Sequence, residues 1–198
     1  YAQALHDCAA PDGAAHAGPV AIRYPRGSSA LVASRPDPAP IALGQAQVLR
    51  QGHPGGVAVI ALGICCEAAL TAAEELAADD ISITVVNARF VKPLDHALIA
   101  TLAARCTTIV TVEEHSAAGG FGSAVLESLS DRDLKTRVVR LAIADRFVGH
   151  ATQAAQRREC GLDGPAIAAA VRKAYAGDGS LTKRARPSAA TEAVSAAS

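Results

Sequence analysis

Apolar positions recur along this chain in a regular order. Residues 57–62 form an unbroken apolar run, the mark of a strand covered on both faces. Residues 67–78 then shift to helical spacing, with Leu70, Ala73 and Leu76 on one side. Residues 81–86 are rich in β-branched side chains and predict a strand. Residues 95–105 predict a helix, with Pro93 just ahead of it and Asp95 placed to cap its first turn. Residues 107–112 predict the next strand, and Gly119-Gly120-Phe121-Gly122 opens a helix that runs through Leu129. Residues 138–143 predict a strand again, and residues 153–159 and 165–175 predict helices. Strands separated by helices require crossover connections, so the expected fold is α/β, a largely parallel sheet between helices in three αβα layers.

The flanks differ. Residues 1–17 are Ala-rich and read as the end of a helix. Gly18 and Pro19 punctuate it, and residues 20–24 predict a short strand that leads into Pro25-Arg26-Gly27. Residues 28–40 are rich in Ser, Pro and Asp, and Pro36, Pro38 and Pro40 exclude a helix there. A boundary is expected in that stretch, which divides the chain into 1–30, a linker 31–50, a domain 51–175 and a tail 176–198. The tail is Ala, Ser and Thr rich without periodicity and is expected to be disordered, with Lys183, Arg184 and Arg186 as solvated charges.

Composition narrows the function. The chain has 198 residues, 50% of them hydrophobic, enough for one well-buried domain with additional segments. Lys plus Arg and Asp plus Glu are both 19, so no net field recruits nucleic acid. No apolar run approaches the roughly 20 residues of a membrane span. The absence of Met and the start at Tyr1 predict a piece of a longer chain, whose targeting segment is then not legible. The 5 cysteines, Cys8, Cys65, Cys66, Cys106 and Cys160, show no metal-binding spacing and are expected to be free thiols.

Three groups of residues offer chemistry. Gly119-Gly120-Phe121-Gly122 stands between a strand and a helix, where backbone N–H groups can hold phosphate, but the dinucleotide fingerprint fails at Val125. A tight turn explains the same glycines. Glu113, Glu114 and His115 end a strand, where α/β sheets place ligands; they offer either acid–base groups or charges that satisfy the loop and the next helix, as do Asp145 and His150. In Arg23-Tyr24-Pro25-Arg26-Gly27 a guanidinium fork, a restrained backbone and a residue without a side chain together suit an anionic group, although exposed structural arginines fit the pattern too.

Several blocks, in order, carry a resemblance. Gly18-Pro19-Val20-Ala21-Ile22-Arg23-Tyr24-Pro25-Arg26-Gly27 comes first, then Val86-Asn87-Ala88-Arg89-Phe90-Val91-Lys92-Pro93-Leu94-Asp95. Val112-Glu113-Glu114-His115 with Gly119-Gly120-Phe121-Gly122 follows, then residues 145–164 with His150 and Gly161-Leu162-Asp163. Over about residues 17–175 the chain resembles the 1-deoxy-D-xylulose-5-phosphate synthases of the transketolase superfamily. It departs from them at Ala142, Ala144 and Ala151, where their pattern has Gly, Pro and Gly. The resemblance implies thiamine-diphosphate-dependent condensation of pyruvate with glyceraldehyde 3-phosphate, with release of carbon dioxide. It implies a transketolase C-terminal-type domain at 51–175, preceded at 1–30 by the end of a pyrimidine-binding domain. Arg26 corresponds to the residue that contacts the acceptor's phosphate, with Arg23 and Tyr24 in support. Thiamine diphosphate and Mg2+ are expected to be held mainly upstream of residue 1, with no catalytic, cofactor or metal residue here and no turnover by this chain alone. The resemblance also implies a homodimer in the bacterial cytoplasm, without nucleic-acid or membrane partners. A 2-oxoacid dehydrogenase β subunit is the alternative within enzymes, and a non-catalytic dimerisation module the alternative outside them.

Overall fold

A computed structural model describes residues 21–24 and 41–177. The elements run β1 (Gln47–Arg50), β2 (Val57–Ala61), α1 (Cys65–Ala77), β3 (Thr84–Asn87), α2 (His96–Arg105), β4 (Thr108–Ser116), α3 (Phe121–Ser130), β5 (Arg137–Ile143), α4 (Gln153–Glu159) and α5 (Gly164–Gly177). They build a 5-stranded sheet in the order β1-β3-β2-β4-β5, parallel throughout except for β1, which pairs antiparallel with β3.

Central β2 explains the layering. Every residue of its Val-Ala-Val-Ile-Ala run is buried. Because side chains alternate across a strand, Val57, Val59 and Ala61 enter one apolar cluster, and Ala58 and Ile60 the other. The first cluster takes Ala69, Ala73 and Leu76 of α1 with Ile167 and Val171 of α5. The second takes Ile99 and Leu102 of α2 with Phe121, Val125 and Leu129 of α3. The expected α/β sandwich of three layers is thus the fold. The helices α1 and α3, which leave neighbouring strands β2 and β4, lie on opposite faces of the sheet.

Local signals set several boundaries. Asp95 caps α2, its Oδ1 accepting from the Leu98 amide at 2.9 Å, and its other oxygen accepts from the Ala46 amide at 3.0 Å. Asp80 turns left-handed after α1 (φ 57°).

Three expectations need correcting. The strand expected over 81–86 is confined to Thr84–Asn87. It begins where the backbone of Ile83 and Thr84 presses on Gly52, whose amide donates to Thr84 Oγ1 at 3.0 Å. The edge strand β1 occupies Gln47–Arg50, the last residues of the expected linker. Residues 21–24 are not part of a strand, and Arg23 ties this segment to the sheet through its side chain. The expectations for residues 1–17 and 25–40, including Arg26, and for residues 178–198 lie outside the described residues, as does Cys8.

Candidate functional site

In an open α/β sheet, ligands meet the carboxyl ends of the strands where successive helices pass to opposite faces. Here that crevice lies between β2 and β4. β2 ends at Ala61, and the chain turns through Gly63 (φ 60°) into α1, whose first residue is Cys65. β4 runs on to Ser116. Pairing between them stops at Ala61 opposite Val112, and the Leu62 amide adds a last bond to the Val112 carbonyl at 3.0 Å.

Glu113 and Glu114 occupy the overhang, and strand alternation sends them to opposite faces. Glu113 is 1% exposed; its oxygens accept from the Phe121 amide at 2.7 Å and the Gly122 amide at 2.8 Å. This carboxylate occupies the anion position at the N-terminus of α3, where the helix dipole favours negative charge. The glycines follow from that fit. A Cβ on Gly120 would stand 2.3 Å from the Ser116 carbonyl and 2.6 Å from Glu113, and one on Gly122 would stand 2.5 Å from Thr111 Oγ1. The Gly-rich segment is therefore a tight strand-to-helix turn closed by its own carboxylate, as the plainer reading had it.

Glu114 is held on the other face. Its Oε1 accepts from Arg157 Nε at 2.7 Å, and the two side chains are 26% and 21% exposed. Arg157 Nη2 also donates to Gln153 Oε1 at 3.0 Å, within α4. The backbone carbonyl of Glu114 accepts from Arg23 Nη2 at 2.5 Å, a contact between residues 91 apart in the chain. Arg23 and Tyr24 are thereby placed at the crevice, with Tyr24 68% exposed. His115, Asp145 and His150 are exposed and are not gathered into that arrangement.

Cys65 lies at the base of the crevice. Burial, reinforced by the Glu114 carboxylate, pushes its thiol up to about 12. Burial and then Glu67 push Cys66 up to about 11. Both stay protonated near neutrality, and Cys65, Cys66, Cys106 and Cys160 are free thiols.

Sequence reasoning gave no role of its own to Arg89, at the carboxyl end of β3. Its backbone is left-handed (φ 56°), its amide donates to Asn87 Oδ1 at 3.0 Å and its guanidinium to Gln47 Oε1 at 2.7 Å. A bulky residue in this region is uncommon. The signal available beforehand was Asn87, whose side chain can form such a turn. The small-residue departures are benign by contrast: Ala151 is not among the residues with positive φ.

The N-terminus of α3 is not open to a phosphate group. Glu113 already fills the N-terminus of α3, and among the described residues no group of three or more His, Cys, Asp or Glu side chains is arranged to hold a metal ion. Nor is any described helix long and apolar enough to cross a membrane.

With this geometry stand several likenesses. Residues 44–167 match the family described as Transketolase, C-terminal domain. The chain is 51% identical over 151 residues to the 1-deoxy-D-xylulose-5-phosphate synthase of Thermomicrobium roseum, covering 76% of this chain and 24% of that protein. It is 44% identical over 160 residues to the synthase of Chlorobium phaeovibrioides, covering 81% and 25%. Among solved structures it is similar to a split-gene transketolase described as an inactive beta4 tetramer. That similarity has a TM-score of 0.64 and 38% identity, covering 72% of this chain and 44% of the other. The chain spans about a quarter of the length of the curated relatives it matches.

Proposed function

The chain belongs to the transketolase C-terminal domain family, and from that premise we propose that it forms the C-terminal domain of a 1-deoxy-D-xylulose-5-phosphate synthase. The whole enzyme joins pyruvate to glyceraldehyde 3-phosphate and releases carbon dioxide. The observation that carries this reading is the 51% identity to a curated synthase over 151 residues. On this reading the assembly is a homodimer in the bacterial cytoplasm. Thiamine diphosphate and magnesium supply the carbon–carbon chemistry from outside the residues described above.

Within that enzyme this chain's part is recognition of the acceptor. Arg26 binds the phosphate of glyceraldehyde 3-phosphate, and Arg23 and Tyr24 support it. A guanidinium offers a phosphate dianion paired donors in a fixed plane, which the point charge of Lys does not reproduce. The bond from Arg23 to the Glu114 carbonyl supports the assignment, because it brings the start of this motif to the carboxyl end of β4.

A chimera tests the reading: this chain replaces the matching quarter of the Thermomicrobium roseum synthase, and 1-deoxyxylulose 5-phosphate formation is measured. The expected result is turnover that depends on both substrates. An assembled, thiamine-loaded chimera that forms no product overturns it. In the same protein Arg26→Ala is expected to cost about 2 to 4 kcal/mol of acceptor binding. It raises the KM for glyceraldehyde 3-phosphate far more than that for pyruvate, and equal effects on both refute the role of Arg26.

A further inference from the structure

We draw no further inference here: the strongest candidate, the loop between β5 and α4 that leaves Phe147 fully exposed while Arg146 and Gly149 on either side of it are tied to Glu159 and Gln156 of α4, is an unpartnered apolar surface, and nothing in the structure shows what covers it.

Discussion

Glu113 shows how far one side chain can determine a local structure. A carboxylate at 1% exposure is costly to bury, and this one is compensated by paired amides at the start of a helix rather than by a cation. Removing it leaves the Phe121 and Gly122 amides buried without an acceptor. Glu113→Ala is therefore expected to lower unfolding free energy by about 3 kcal/mol, measured by urea denaturation. Glu113→Gln should fall between, since one amide oxygen can serve one N–H while the amide NH2 faces the other. Gly120→Ala tests the same turn from the backbone side. Its methyl would stand 2.3 Å from the Ser116 carbonyl, so α3 must move, and a loss of about 2 to 4 kcal/mol is expected in the same assay. A loss under about 0.5 kcal/mol, the usual range for an unconstrained surface position, would show that the turn yields.

At the scale of elements, the informative junction is the one Asp95 makes. One oxygen caps α2 through the Leu98 amide, and the other holds the Ala46 amide, immediately ahead of β1. A single carboxylate thus ties the start of a helix to the entry of the antiparallel edge strand. Asp95→Ala is expected to cost about 1 to 2 kcal/mol. Asp95→Asn should keep the cap and lose less. Hydrogen exchange should then quicken at Ala46 as well as in the first turn of α2. Faster exchange in α2 with Ala46 unaffected would mean that β1 is held by its ladder to β3 alone.

For the whole molecule, the buried thiols make stability depend on alkaline pH. Cys65 and Cys66 titrate near 9.0 when exposed and at about 12 and about 11 in the folded chain. Below pH 9 both states keep the proton and nothing changes. Between 9 and about 12 the unfolded chain releases protons that the folded one retains, so unfolding becomes easier as pH rises. Melting temperatures measured from pH 8 to 11 should fall, and the fall should be shallower in Cys65→Ala than in the parent chain. Identical slopes would remove the thiol from the account. At neutral pH the same burial predicts that thiol reagents modify both residues slowly until the protein unfolds.

How much of this was legible beforehand follows the distance over which each interaction acts. The order of elements, the parallel character of the sheet and the Asp95 cap depend on neighbours within a few positions, and they could be read from spacing and residue type. The roles of Glu113 and Glu114 could not. Adjacent carboxylates look alike in a sequence, and only the strand beneath them sends one to the amides of α3 and the other to Arg157, 43 residues away. The strand β1 was missed for a related reason: Gln47–Arg50 has a mixed exposure pattern and becomes a strand because β3 offers it a ladder. Arg23 was legible as a cation beside a proline turn, but its seat on a carbonyl 91 positions later was not. Local periodicity and capping are written along the chain and so were settled by the sequence. Which of several equivalent polar groups is buried, paired or presented at the crevice was decided only when the sheet brought distant residues together, because desolvation and partnership belong to the assembled fold.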